Sequence, residues 1–201
     1  VGGSGQTGLL NFDHHEKGGP KSCAVKQAYD SLRRFRRFKF VKPWHMYFNG
    51  DSKSLREAHF IVGRIVSYIN KIETGGPQSL PTYGQVKPPL LSDIFSGMLL
   101  TTSDLIDQFF KGVSIFRHVV ETFQDPYRTI EGYDSYAQAK SEHNQKVRKA
   151  VNAAAWVRTL SRLQIAFIES DLYGMPGELY GLGADVVVCY NPLLGKYTVA
   201  S

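Results

Sequence analysis

Leu9-Leu10-Asn11-Phe12-Asp13-His14-His15 runs into Glu16-Lys17-Gly18-Gly19-Pro20 and then into Lys21-Ser22-Cys23-Ala24. Leu9 to Phe12 reads as a short apolar strand. Asp13-His14-His15 ends it, the Gly/Pro stretch is a loop, and Ser22 is a good N-cap for a helix from Cys23 to about Phe35. Ala24, Ala28 and Leu32 recur at helical spacing and offer a small-residue face for close packing on a sheet. Side chains alternate along a strand, but where the chain turns at the end of a parallel strand, adjacent residues converge on one crevice. Imidazole suits manganese or zinc, and carboxylates suit hard divalent cations. Such ions polarise a phosphoryl oxygen and activate water for in-line attack.

Outward from this stretch, Ser54 to Ile72 is a second helix with a wide apolar face of Phe60, Ile61, Ile65, Tyr68, Ile69 and Ile72. Glu73-Thr74-Gly75-Gly76-Pro77 stops it. Residues 77–89 carry four prolines and form a loop. Helices are expected over 90–100, 103–123 and 134–160, the last a connector that is polar at first and apolar from Ala153 to Leu160. Leu163 to Ile168 is then a strand, Gly177 to Gly183 a short helix, and Ala184 to Tyr190 and Lys196 to Ser201 are strands of a small α/β module. The fold class is α/β.

With 201 residues, 42% hydrophobic and 21% charged, the chain has the composition of a globular domain with a real core. No apolar run reaches membrane-spanning length, and the N-terminus lacks the pattern of a signal peptide. Cys23 and Cys189 are expected as buried, reduced thiols, consistent with a cytoplasmic protein. Neither has a second Cys or His at zinc-ligand spacing. The net charge of +6 favours anionic partners. Gly3, Gly5 and Gly8 spell a dinucleotide fingerprint but lack the strand before and the helix after it, so they read as a flexible loop.

The Asp13-His14-His15 context, with Ser22-Cys23-Ala24 opening a helix behind it, resembles the DHH phosphoesterases. That family includes RecJ-like exonucleases, nanoRNA phosphatases, cyclic-dinucleotide phosphodiesterases and family II pyrophosphatases. Tyr68-Ile69-Asn70-Lys71-Ile72-Glu73-Thr74 is similar to the family's later acidic element, with Glu73 where Asp is usual. Gly183 to Val188 and Gly195 to Ala200 look like the start of its second, DHHA1-like domain.

The resemblance implies a partial DHH domain with a parallel sheet over 1–133, a connecting helix over 134–160, and a partial DHHA1-like domain over 161–201. The active crevice would lie between the lobes. It implies His14 and Glu73 as ligands of a divalent metal, Mn²⁺ before Mg²⁺, with Asp13 as a further ligand or as a partner that supports the ligands. His15 would be the catalytic residue, contacting a phosphate oxygen or orienting the metal's ligands. The substrate would be a nucleotide or short oligonucleotide, with oligomerisation left open. Two departures bear on this. The chain has no Asp-x-Asp and no Gly-Gly-Gly-His, and the expectation is that both lie on flanks outside the chain. The alternative reading is a non-catalytic nucleotide-sensing or structural module that keeps the fold.

Arg33-Arg34-Phe35-Arg36-Arg37-Phe38-Lys39-Phe40 is the densest basic run. Arg33, Arg34, Arg36 and Arg37 would contact phosphates, with the aromatics stacking on bases. The competing reading is a solvated helix end whose cations suit the C-terminal dipole. Trp44, His45 and Trp156 read as packing residues, and His59, His118 and His143 show no ligand spacing to each other.

Overall fold

The computed structural model describes residues 22–35, 52–82 and 84–200. The expected strand Leu9–Phe12, the Asp13-His14-His15 segment, Trp44 and His45 lie outside them. The chain divides into two units, Val1–Ala137 and Gln138–Ser201.

The described part of the first unit is helical: α1 (Ala24–Phe35), α2 (Ser52–Gly75), α3 (Leu91–Thr101), α4 (Leu105–Glu121) and the first turn of α5 (Asp134–Ala150). The apolar stripe of α2 closes a core of Ile61, Ile65 and Tyr68 against Leu91, Ile94 and Met98 of α3 and Ile115 and Val119 of α4. Phe60, expected on that stripe, is 64% exposed, because it sits at the margin of the arc that faces α3 and α4. The ends are fixed by local hydrogen bonds. The Asp93 carboxylate accepts from the Leu90 N–H ahead of α3. Asp104 caps α4 by accepting from the Ile106 and Asp107 N–H groups. Gly97 lets α3 meet the first turn of α5 closely: a Cβ there would fall 1.9 Å from the carbonyl oxygen of Tyr136.

Helix α1 packs on α2, and its buried face differs from the expected one. Cys23, Gln27 and Ser31 are buried at the same i, i+4, i+8 spacing, one position before the alanines. The partner among the described residues is helix α2; the strand on which α1 was expected to pack lies outside them. Gln27 reaches back from its Nε2 to the carbonyl of Ser22 at 2.8 Å.

The second unit is a four-stranded mixed sheet in the order β1 (Ala155–Arg158), β2 (Gln164–Glu169), β3 (Val186–Asn191), β4 (Lys196–Ala200). Only β2 and β3 run parallel, joined through α6 (Met175–Gly181); the outer pairs are antiparallel. Ala166 sits opposite Val187 and Ile168 opposite Cys189, so all four point to one face. There they form a core with Met175 and Leu179 of α6, Val147 of α5 and Val151 just after it. Phe167, Glu169, Tyr197 and Val199 are exposed, the one-sided burial common in sheets with antiparallel pairs.

The expected connector helix over 134–160 is corrected here. Helix α5 ends at Ala150, a 3-10 turn covers Val151–Ala153, and Ala155–Arg158 is a strand. Ala153 to Ala155 has high helix propensity, but pairing with β2 outweighs it. Trp156 accordingly lies on that edge strand at 41% exposure, where packing was expected. The architecture is α/β in general terms, and among the described residues the first unit contains no strand. No described helix is long and apolar enough to cross a membrane.

Candidate functional site around the end of helix α2

Glu73 lies in the last turn of α2 and is exposed. One turn earlier, Asn70 places its Oδ1 2.8 Å from the backbone N–H of Cys23. This N–H opens α1 and would otherwise be an unmatched donor at a helix start. Cys23 is 2% exposed, so water does not replace that bond. The entry of α1 is thereby tied to the α2 turn that carries Glu73, across 47 residues of sequence.

Beside this turn, a cavity of about 240 Å³ is lined by Tyr68, Ile69, Ile72 and Glu73 of α2, Leu91, Ser92 and Phe95 of α3, and Phe116 of α4. Phe95 and Phe116 form an aromatic wall, with ring centroids 4.7 Å apart. Inside, the Tyr68 hydroxyl lies 3.0 Å from Ser92 Oγ. Burial pushes the Tyr68 phenol above its ordinary value of 10.0, with Ser92 opposing. The hollow is therefore apolar, with a neutral hydroxyl pair at one wall and a single carboxylate at its border.

The back of α2 is held by Arg64. Its Nε and Nη2 donate to the two oxygens of Asp125 at 2.9 and 2.8 Å, and its guanidinium lies 4.7 Å from the Tyr127 ring centroid. Tyr127 also packs edge-on against Tyr68 at 5.3 Å and donates from its hydroxyl to Ser67 Oγ. This set fixes the helix that presents Asn70 and Glu73.

The expected site residues fare unequally. Asp13, His14, His15, Arg36 and Arg37 lie outside the described residues, and so does everything about Arg33 and Arg34 beyond their place in the last turn of α1. Glu73 is described. Among the described residues, no group of three or more His, Cys, Asp and Glu side chains is placed to hold a metal ion. Glu73 alone does not make a site. The donor set it would complete, one imidazole from His14 with the carboxylates of Asp13 and Glu73, is of the kind that suits manganese.

His118 contacts Gln124 at 3.2 Å, and His143 contacts the Tyr173 carbonyl at 2.8 Å. Both serve local structure. Cys23 and Cys189 are buried free thiols, as expected. Burial raises the Cys189 thiol above its ordinary value. Asn70 is the residue that sequence reasoning passed over. Its only signal was a polar side chain one turn before the helix-end carboxylate.

The chain matches no family model, and neither a curated protein nor a solved structure matches it.

Proposed function

We propose that the chain is part of a DHH-type metal-dependent phosphoesterase acting on phosphate esters of small nucleotides or short oligonucleotides. The observation that supports this reading is the bond from the Cys23 N–H to Asn70 Oδ1. His15 precedes Cys23 by eight residues, a tether of at most about 28 Å fully extended. The bond anchors the end of that tether one helical turn from Glu73. Two stretches that resemble elements of one family are therefore joined by a backbone-to-side-chain hydrogen bond.

In this reading Asp13, His14 and Glu73 hold the divalent ion and His15 contacts a phosphate oxygen. When bound, the ion supplies Lewis-acid polarisation of the phosphoryl group and activation of water. Arg64, Tyr127 and Asp125 hold α2 so that Glu73 is presented in a fixed place. The +6 charge of the chain draws anionic substrates toward it.

The test is hydrolysis of a short oligonucleotide and of a nucleotide monoester by the whole protein with Mn²⁺. The expected result is turnover that falls at least a hundredfold in His14→Ala. Binding of nucleotide without turnover, unchanged by His14→Ala, would instead favour a non-catalytic nucleotide-sensing module.

A further inference from the structure

The sheet of the second unit is also apolar on the face opposite α6. Phe167 is paired with Ala155 on one side and with Val188 on the other. Side chains alternate along each strand, so these three point away from the core that Ala166 and Val187 enter. Two residues beyond Phe167, the register sets Glu169 beside Tyr190 and Tyr190 beside Tyr197. All six residues line a hollow of about 280 Å³, close to the roughly 300 Å³ at which ligand pockets begin. The Tyr190 and Tyr197 rings form a tilted pair, with centroids 4.8 Å and planes 36° apart. Phe167 is 41% exposed and Tyr197 72%, so both rings are open to an incoming group.

We propose that this hollow binds a quaternary ammonium head group, a cation whose nitrogen is fully alkylated. Charge selects a cation. Glu169 is the one charged residue lining the hollow, and among the described residues no ion pair engages it. Aromatic faces carry negative potential and attract a cation held within about 6 Å of the ring centre. Phe167, Tyr190 and Tyr197 supply such rings from three adjacent strands. An anionic ligand would meet the Glu169 carboxylate instead. Hydrogen bonding selects full alkylation. Beside that carboxylate, the side chains lining the hollow offer only two phenol oxygens, and the rest are hydrocarbon. A primary ammonium or a guanidinium brings several N–H donors, and donors left unmatched away from water are costly. A quaternary nitrogen has none to leave unmatched, and its methyl groups pack on Ala155 and Val188. Such binding calls for neither Mn²⁺ nor a phosphate ester.

Calorimetric titration of the whole chain with choline, and with its uncharged carbon isostere dimethylbutanol, tests this. The expected result is saturable choline binding, at least tenfold tighter than that of dimethylbutanol. Glu169→Gln and Tyr197→Ala should each weaken it at least fivefold with an unchanged circular dichroism spectrum, while Tyr197→Phe, which keeps the ring, retains it. Trimethyl-lysine carries the same head on an amino-acid tail and should compete with choline for the site; the tighter of the two names the tail. No saturation by either cation overturns the proposal. So does choline binding indifferent to Glu169→Gln. Dimethylbutanol binding as tightly as choline also overturns it, since the face would then attract apolar surface rather than charge. That comparison needs no variant, so a folding defect in Tyr197→Ala leaves the answer intact.

Discussion

The backbone N–H of Cys23 donates to Asn70 Oδ1 at 2.8 Å, and this bond closes the start of α1 onto the end of α2. Both the packing of α1 and the proposed site depend on it. Asn70→Ala leaves a buried donor unmatched, which costs about 1–3 kcal/mol. Chemical denaturation should show that loss, and Asn70→Asp, which keeps an acceptor oxygen, should recover most of it. An Asn70→Ala chain as stable as the parent would mean that the bond contributes nothing.

Arg64 makes a two-pronged contact with Asp125 and lies over the Tyr127 ring. Lysine keeps the charge but loses the fork and the planar stacking. Arg64→Lys is therefore expected to cost about 1 kcal/mol. Both side chains are about a third exposed, so the ionic part is screened. The difference measured in urea should shrink only partly in high salt, because the ring contact is not ionic.

Gly97 has no room for a methyl group, since the Tyr136 carbonyl oxygen would lie 1.9 Å from it. Backbone would have to move, so Gly97→Ala should destabilise the first unit by about 3 kcal/mol or more. Gly177 in α6 has nothing within 4 Å of the same position. There the exchange to alanine should be neutral or stabilising by up to about 1 kcal/mol. Thermal melts of the two variants provide the comparison.

The Tyr68 phenol is raised above 10.0 by burial, and Tyr133 is raised for the same reason. In the unfolded chain these phenols ionise first, so the unfolded state binds fewer protons above pH 10. Their contribution to stability is complete below pH 10.0 and declines as pH rises from there through the folded values. Tyr68→Phe should flatten the alkaline limb of the stability curve. An unchanged slope would place the alkaline loss in other groups.

The legible parts of the sequence were those set by local pattern. The apolar stripe of α2, the stop after Glu73, and the β-branched runs in β2 and β3 are periodic signals with strong punctuation. Strand β1 was not legible. Four residues, all exposed, are strand only because Trp156 pairs with Ala166 and Val157 with Ile165. At α1 the most buried described positions are Cys23, Gln27 and Ser31, one before the expected alanines, because polar Gln27 and Ser31 carry no apolar signal in the sequence. The Cys23–Asn70 bond joins residues 47 apart, and no local pattern announces such a pair. Nor does periodicity reveal that Phe109 and Phe110 face solvent, since an apolar helix face looks the same in sequence whether covered or bare.

If Glu73 and His14 share one divalent ion, equilibrium titration of the whole protein with Mn²⁺ reads that sharing out. Binding should be stoichiometric and weaken at least tenfold in both His14→Ala and Glu73→Ala, with Glu73→Asp retaining it. Binding that ignores both alanine exchanges, or no Mn²⁺ uptake by the intact protein, would contradict it.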